Sequence, residues 1–379
     1  MSFSGKILKA KACIFVRAKD FFLNTLGRAD PGSFLHDTIR NFTQAFIGPI
    51  PYVIKLDINS DCNINCRMCY ADKKILEVPL ERIKTFLDSA RGLRLRLDLM
   101  GGEPLLHKDI IKIVEYAKNS AGFQEVIIYT NGTSVGKKLA FALSKAGLDK
   151  AMVNISSIDK KKHDSFTRKP GSFDKTLDGI RNFRSAGINT LAFVVLHNEN
   201  ISDYEKIRDF AKNKLKITPV FFQYIQQRKM DKLAVKKDEW ALIKHKVIYE
   251  DSKDHGKFIE KVITFCGTEC LGGYYSVSVK VNGDMTPCPF INDIVIGNVY
   301  KENFWEVFAE RNKVKSFNEF VKLPESCQPC SYKKLCGGGC KAGNKVRLGS
   351  YSNKDQRCLG PWSEKVSKKT MHDRMPTYF

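Results

Sequence analysis

The sequence has no long apolar segment, because its longest runs without a formal charge, 41–54 and 185–198, are 14 residues each. A membrane-spanning helix needs about 20 apolar residues, so an integral membrane protein built from such helices is excluded. No short apolar core with a small-residue cleavage site follows the start, which predicts a cytoplasmic protein. Hydrophobic residues (43%) and charged residues (27%) are near the averages of globular proteins, which excludes disordered, collagen-like and coiled-coil chains.

Acidic residues are scarce relative to basic ones, 41 against 63, and the formal net charge is +22. The basic residues are spread along the chain, so they favour anionic ligands in general and predict no specific nucleic-acid partner. An anionic substrate is one expected source of this excess. A basic, partly amphipathic segment over residues 1–48 keeps peripheral membrane contact as an alternative.

Cysteine is missing from residues 70–265, and the 12 cysteines of the chain lie on either side of that gap. Clustered cysteines in a chain without a secretion signal are more often metal ligands than disulfides. Four-cysteine zinc sites and iron–sulfur clusters are both open at this point. Cys13 stands apart from both groups and is interpreted as a buried small residue.

Between residues 50 and 225, apolar runs typical of buried strands alternate with segments that have apolar residues at helical spacing. This alternation predicts repeated β–α units around a parallel sheet. The predicted strands are 52–58, 95–100, 126–130, 151–156, 191–196 and 219–224, and the predicted helices are 80–90, 110–117, 137–146, 176–185 and 204–213. Periodicity alone leaves two folds open, an open doubly wound sheet and a partial barrel.

The character of the chain changes after residue 266. Residues 274–281 alternate like a strand, Asn282-Gly283 signals a hairpin, and residues 285–288 begin the return strand. We therefore expect five segments. They are a basic lead-in (1–48), an α/β core (49–227), a helical connector (228–265), a small cysteine-rich domain with a β-hairpin (266–360) and a C-terminal tail (361–379).

The first cysteine group reads Cys62-x3-Cys66-x2-Cys69 and follows directly after the first predicted strand. In parallel α/β folds, sites are built from loops at the carboxyl ends of strands. An iron–sulfur cluster usually takes four cysteines, so three leave one iron open to another ligand. A catalytic zinc site is one protein ligand short for the same reason.

This spacing, with Tyr70 after the third cysteine, resembles the radical S-adenosylmethionine (SAM) superfamily. Similar motifs follow the next strands in order: Gly101-Gly102-Glu103-Pro104, Thr130-Asn131-Gly132, Ser157-Ile158-Asp159 and, more weakly, Asn200. The resemblance implies a partial (β/α)6 TIM-like barrel with a catalytic 4Fe–4S cluster. The SAM-binding residues that it implies are Tyr70, Gly101, Gly102, Glu103, Pro104, Asn131, Ser157, Asp159 and Arg168.

The late cysteines, with Gly283 before Cys288, resemble the SPASM domain of that superfamily, which holds two auxiliary 4Fe–4S clusters. The resemblance implies two ligand sets, and the cysteines between residues 327 and 340 are divided between them. The inner set is Cys266, Cys270, Cys288 and Cys340, and the outer set is Cys327, Cys330, Cys336 and Cys358. Together with the catalytic cluster this makes three 4Fe–4S clusters, reduced by a donor such as flavodoxin or ferredoxin.

The resemblance also implies the reaction: reductive cleavage of SAM to a 5′-deoxyadenosyl radical, which abstracts a hydrogen from the substrate. Eight auxiliary ligands favour electron conduits, and hence oxidative modification of a peptide, a protein or an anionic small molecule in maturation or biosynthesis. The alternatives are redox-neutral epimerisation of a carbohydrate or peptide residue, tetrapyrrole side-chain modification and, more distantly, a zinc-binding nucleic-acid module.

No catalytic acid or base is assigned from the sequence. Similar sulfatase-maturating enzymes have an aspartate after the third inner-cluster cysteine, where this chain has Pro289. The candidates near the predicted site are Tyr70, His163, His197 and Tyr224, and each is also explained by packing or cofactor contact.

Overall fold

The computed structural model describes residues 51, 53–71, 76–91, 95–225, 231–236, 239, 270, 272–330, 333, 337–355 and 358. The expected lead-in, most of the helical connector and the C-terminal tail lie outside these residues, as do Cys13, Cys266 and Cys336. No helix of the described ranges is long and apolar enough to cross a membrane.

One sheet organises the described chain. Its strands are β1 Val53–Asn59, β2 Arg96–Gly101, β3 Glu125–Thr130, β4 Lys150–Asn154, β5 Asn189–Leu196, β6 Thr218–Gln223, β7 Ser276–Val279, β8 Asp284–Thr286 and β9 Gly297–Asn298. The helices are α1 Leu80–Ala90, α2 Ile110–Glu115, α3 Lys137–Ala146, α4 Lys160–Thr167, α5 Ser172–Ser185, α6 Tyr204–Asp209, α7 Phe304–Glu310, α8 Lys315–Val321 and α9 Lys341–Leu348. Helices α2 and α6 run on into π-helical turns, Tyr116–Ser120 and Phe210–Leu215.

The strand order explains why the fold is a partial barrel. The order is β6-β5-β4-β3-β2-β1-β7-β8-β9, so the first six strands are neighbours in chain order, and each of these neighbouring pairs is parallel. Right-handed crossovers that never reverse direction place their helices on one face of the sheet. The other face forms the inside of a partial (β/α)6 barrel, which decides between the two folds that periodicity left open.

The predicted hairpin extends the barrel sheet. β7 pairs in parallel with β1, with Val53 opposite Ser276, and β8 returns antiparallel to β7. Gly283 makes the turn with a φ of +89°, a conformation that glycine adopts without steric cost. A domain division at residue 266 therefore stays a proposal, because the sheet is continuous across it.

Burial alternates along the strands and identifies the two faces. In β1, Ile54, Leu56 and Ile58 are completely buried beneath helices, whereas the intervening Lys55 and Asp57 are half-buried. β5 shows the same alternation, and its partly exposed residues on the inner face are Leu191, Phe193 and Val195. The helix-covered face is the main core, and it continues into α7, where the Phe304 ring packs on Phe86 with centroids 6.0 Å apart.

The amino ends of β2, β3 and β4 carry an ionic network on the inner face. Arg96 donates through Nε and Nη2 to the two carboxylate oxygens of Asp98, at 2.6 and 3.0 Å, and Asp98 is completely buried. Glu125 lies 3.8 Å from Arg96 and forms an ion pair with Lys150. The Arg96 guanidinium also donates to the Tyr129 hydroxyl at 3.0 Å. The network thus places paired charges at the end of the barrel interior that the amino ends of these strands form.

Removal of Arg96 would leave Asp98 as an uncompensated buried carboxylate. We expect Arg96→Met to lower the free energy of unfolding by about 3 kcal/mol, the lower end of the range for broken buried pairs, since Arg96 is one-third exposed. Urea denaturation of the anaerobically reconstituted protein measures this. The matched control is Arg91→Met in the exposed Arg91–Asp88 pair, which should cost no more than about 1 kcal/mol. Equal losses in the two variants would contradict the assignment of a buried network.

Candidate functional site

The first cysteine group lies on the loop after β1, at the carboxyl edge of the barrel sheet. Two backbone hydrogen bonds fix the loop to the end of α4: Asn65 N–H donates to Thr167 O at 2.9 Å, and Arg67 N–H donates to Phe166 O at 3.0 Å. Cys69 N–H closes a tight turn onto Cys66 O at 3.1 Å. The three cysteines are thus held on one anchored loop and are partly or fully accessible.

The loop after β3 contacts the cysteine loop directly. Asn131 Nδ2 donates to Asn63 Oδ1 at 2.9 Å and lies 3.9 Å from the Cys62 sulfur. Asn63 in turn donates to Thr133 and Ser134, both at 2.8 Å. Asn131 was predicted as a cofactor-binding residue, and the structure places it against the first cysteine. Asn63 was missed, because an asparagine between two cysteines carries no signal before the neighbouring loop is known.

Gly101 and Gly102 follow β2 and press against the chain that leads into the cysteine loop. A Cβ on Gly102 would lie 2.0 Å from the Asp61 carbonyl oxygen, and one on Gly101, whose φ is +143°, would lie 2.2 Å from Asn59 O. The close contact of the two backbones allows two hydrogen bonds between them. Gly102 N–H donates to Asn59 O at 3.0 Å, and Glu103 N–H donates to Asp61 O at 2.7 Å. Only glycine permits this contact.

The carboxylate of Glu103 joins the loops after β2 and β3. Its Oε1 accepts from Thr130 Oγ1 at 2.6 Å and from Leu105 N–H at 3.1 Å, and its Oε2 accepts from Asn131 N–H at 2.8 Å. Burial raises the pKa of Glu103 to about 7, and these three hydrogen bonds oppose the rise. A carboxylate has about four acceptor positions, and donors within the described residues use three of them. Pro104 begins the short 3-10 turn that follows.

The other predicted SAM contacts lie at the ends of α4. Asp159 caps the helix by accepting from Lys162 N–H at 2.9 Å, and Ser157 Oγ accepts from Asp159 N–H at 3.1 Å. Arg168 ends the helix in a left-handed conformation, with a φ of +53°, and is exposed. These positions stay proposals as cofactor contacts, since their observed interactions are those of helix caps. Asn200 joins β4 to β5 by donating to Ser156 O and Val195 O.

Tyr70 lies between the first cysteine group and the late cysteines. Burial raises its pKa well above the usual value, and Asp57, Cys288 and Cys69 raise it further. Its ring packs on Phe290 with centroids 4.5 Å apart. The structure therefore brings the predicted catalytic loop and one predicted inner-set cysteine to the same part of the barrel.

Three of the four predicted inner-set cysteines are brought together. Burial raises the pKa of Cys270 to about 12, and the neighbouring thiols of Cys288 and Cys340 raise it as well. Backbone N–H groups point at these sulfurs: Gly272 and Lys341 donate to Cys270, and Gly343 donates to Cys340 Sγ at 3.4 Å. Buried thiols with amide donors form a donor set that suits iron, which would supply the positive charge needed for ionisation.

The described outer-set cysteines also meet. Cys358 and Cys330 both raise the pKa of the Cys327 thiol, after burial as the main cause. Asp355 joins the two sets, because its Oδ2 accepts from Cys340 N–H at 3.0 Å and its carbonyl accepts from Cys358 N–H at 2.9 Å. In the described ranges, no group of three or more Cys, His, Asp or Glu side chains closes around a single metal ion. The two sets stay proposals as cluster ligands.

The observed contacts of the other acid–base candidates, His163, His197 and Tyr224, are packing contacts and hydrogen bonds within the protein. Burial lowers the pKa values of His163 and His197 to about 4, so both rings are neutral. The His197 ring stacks on Phe166 with centroids 4.2 Å apart. Tyr224 donates its hydroxyl to Asp231 at 2.6 Å. None of the three is assigned a catalytic role.

These features define a parallel-barrel protein with a cysteine loop after β1 and a cysteine-rich extension. The model of the Radical SAM superfamily matches residues 57–211, and the model of the SPASM iron–sulfur cluster-binding domain matches residues 270–331. The chain belongs to the radical SAM superfamily and carries a C-terminal SPASM domain.

Named relatives extend the match over most of the chain. An AdoMet-dependent heme synthase of Methanosarcina barkeri is 25% identical over 82% of this chain and 96% of its own length. A PqqA peptide cyclase of Gluconobacter oxydans is 21% identical over 86% of this chain and 96% of its own length. The crystal structure of SuiB from Streptococcus suis bound to S-adenosylmethionine has a TM-score of 0.66 at 18% identity and covers 91% of this chain and 88% of that one, which supports the fold.

The chain is therefore a radical SAM enzyme that uses 4Fe–4S clusters and SAM. A 4Fe–4S cluster bound by Cys62, Cys66 and Cys69 would supply the electron that cleaves SAM. The residues around it have separate tasks. Asn131 and Asn63 hold the first cysteine in place, Glu103 offers an acceptor beside the loop, and the anchored loop limits the geometry in which a cofactor can bind.

The close approach of Gly102 to Asp61 gives a test of how the loops are held. We expect Gly102→Ala to force the two backbones apart, since its Cβ would lie 2.0 Å from a carbonyl oxygen, and to lower iron incorporation at the first cysteine group. The expected loss is about four irons per chain, one 4Fe–4S cluster, by iron assay after anaerobic reconstitution. Gly136→Ala is the matched control, because no atom lies within 4 Å of a Cβ at that position. Full iron content in Gly102→Ala would refute the prediction.

Proposed function

We propose that this enzyme oxidatively modifies a substrate that carries carboxylates on an apolar body, either an acidic peptide segment or an anionic small molecule. The reaction takes place inside the barrel, and SAM supplies the hydrogen-abstracting radical. We propose three 4Fe–4S clusters, with the ligand sets expected from the sequence. A reductant such as flavodoxin or ferredoxin supplies the electron, and the proposed location is the cytoplasm.

The observation that carries the proposal is the division of the barrel interior into two walls. The wall formed by β1 and the end of β7 presents half-buried charged groups, Lys55, Asp57 and Lys280. The opposite wall is aromatic: Phe193 on β5 and Phe222 on β6 pack with centroids 4.7 Å apart, and Phe222 is 39% exposed. A ligand with an apolar body and carboxylates complements both walls.

The basic members of the charged wall favour an anion over a neutral ligand. Lys55 and Lys280 contribute positive charge, while Asp57 contributes one carboxylate whose pKa burial raises to about 6. A buried ammonium is stabilised by an opposite charge that approaches it in a medium of low dielectric constant. This local excess agrees in sign with the net charge of +22.

An oxidative reaction requires an electron acceptor close to the substrate. The substrate loses one hydrogen atom, which becomes part of 5′-deoxyadenosine, one proton and one electron. Tyr70 is within electrostatic range of both Cys69 and Cys288, so the inner cysteine set borders the same interior as the catalytic loop. The proposed inner auxiliary cluster is therefore near enough to serve as the acceptor of that electron.

A carboxylated tetrapyrrole is a second candidate substrate, favoured by the aromatic surface. Phe222 and Phe290 are 39% and 37% exposed, which is unusual for rings of this size beside an interior. A flat apolar ring packed on the Phe193–Phe222 pair would cover Phe222. The relative from Methanosarcina barkeri named as a heme synthase supports this candidate, and the relative named as a peptide cyclase supports the peptide.

Loss of the catalytic cluster should abolish the chemistry without emptying the auxiliary sites. We expect the combined change of Cys62, Cys66 and Cys69 to Ala to abolish 5′-deoxyadenosine formation and to remove about four irons, one cluster. The proposed auxiliary ligands lie elsewhere in the chain, so their iron should remain. Chromatography of the products and iron assay measure both. Continued 5′-deoxyadenosine formation by this variant would disprove the assignment.

The substrate class is tested by paired compounds. The reconstituted enzyme, dithionite and SAM are incubated with acidic peptides, with carboxylated tetrapyrroles and with the amide form of each. We expect one acid to stimulate 5′-deoxyadenosine formation and to lose two hydrogens by mass spectrometry. Its amide should be about 10- to 100-fold poorer in kcat/KM, since one or two charge-assisted contacts are worth about 1.5–3 kcal/mol. Equal turnover of acid and amide would contradict the anionic substrate, and a product of unchanged mass would contradict oxidation.

A further inference from the structure

A half-buried lysine of the charged wall, Lys280, lies where the barrel sheet continues into the SPASM domain. Lys280 follows directly after β7, and the pairing of Leu56 with Val279 places it next to Asp57 on β1. Its Nζ donates to the Pro289 carbonyl oxygen at 2.5 Å and lies 5.8 Å from the centre of the Tyr70 ring. Pro289 follows Cys288 in the chain, so the ammonium is held beside the segment that carries this cysteine.

The surroundings of Lys280 compensate its charge only in part. Burial lowers the pKa of Lys280, although Asp57 and Cys288 both act in the opposite direction. The loss of hydration therefore exceeds the attraction by the neighbouring groups. Lys55, which is on the same wall, also acts on Cys288. Additional negative charge next to Cys288 would stabilise both lysines, and an iron–sulfur cluster with four thiolates carries such charge.

We propose that Lys280 is a positioning residue that fixes a positive charge beside the inner auxiliary cluster and raises its reduction potential. The inference rests on the proposed oxidative function and on the proposed ligand set of Cys266, Cys270, Cys288 and Cys340. A reduced cluster carries one more negative charge than the oxidised cluster, so a fixed cation stabilises the reduced form.

The charge of Lys280 would favour transfer of the electron of the substrate radical to the inner cluster. The substrate radical would give one electron to the oxidised inner cluster, and its proton would pass to solvent water. Lys280 neither gains nor loses a proton in this step. Among the described outer-set cysteines, the lysines that act on Cys327 are Lys341 and Lys354, and Lys280 is not one of them.

The test is a potentiometric titration of the reconstituted full chain followed by electron paramagnetic resonance, without substrate. The catalytic cluster is recognised by the change of its signal on addition of SAM. We expect Lys280→Met to lower the midpoint potential of one auxiliary cluster so that the ratio of reduced to oxidised cluster at a fixed potential falls about tenfold, a shift of about 59 mV for one electron. Lys280→Arg keeps the charge and should restore the midpoint.

The matched control is Lys84→Met, which removes another lysine held over an aromatic ring, Tyr116, at 5.5 Å on the outer face of the barrel. It should leave the potentials unchanged. If Lys280→Met fails to retain iron, Lys280→Gln replaces it, because the amide can still donate to the Pro289 carbonyl. Unchanged midpoints in a fully loaded neutral variant would overturn the inference, as would an equal shift in Lys280→Arg. Since no substrate is present, neither outcome bears on the oxidative function, which depends on the mass of the product.

Discussion

The contact between the backbones of Gly102 and Asp61 is the constraint on which the rest of the site depends. It leaves no space for a side chain and brings the end of β2 against the entrance of the cysteine loop. Glu103 is thereby placed within reach of the loop after β3, and Asn131 of that loop reaches Cys62. Three strand ends are joined by one steric contact and a short series of hydrogen bonds. The cysteine loop is consequently positioned by the barrel and not by its own sequence.

Charge inside the barrel is arranged by depth. At the amino ends of the strands, the charge of Arg96 is paired with that of Asp98 through two hydrogen bonds. Nearer the carboxyl ends, Asp57 and Lys280 are neighbours whose pKa values are dominated by burial. The paired charges at the amino ends therefore stabilise the fold. The incompletely compensated charges near the carboxyl ends are available to a substrate and to a cluster. The same residue types have opposite consequences because their partners differ.

Much of the barrel could be predicted from the sequence, because buried parallel strands and amphipathic helices have distinct periods. Helices α1 and α3 begin and end where the periodicity predicts. Helix α4 was missed, because its Lys-rich sequence hides an apolar face and its boundaries depend on Asp159 as an N-cap and on a left-handed Arg168. Helix α5 begins before its predicted start at residue 176, because Asp164 accepts from the N–H groups of Gly171, the N-cap, and of Phe173 in the first turn.

The site was predictable where chemistry demands a residue type, and not where geometry alone selects it. Cysteine spacing indicated the loop after β1 and the late ligand sets, which the structure brings together within the described residues. Lys280 and Asp57 gave no signal, because a charged residue within an apolar strand is informative only when its strand partner is known. The parallel pairing of β1 with β7 was not predicted, since it joins segments more than 200 residues apart.

Asp355 has a consequence for how the protein matures. One carboxylate side chain and its own carbonyl hold the backbone at Cys340 and at Cys358, which belong to different ligand sets. A cluster bound by either proposed set would fix the position of Asp355 and thereby the backbone of a cysteine in the other set. If the two proposed sets bind clusters, metal delivery to them would then be cooperative.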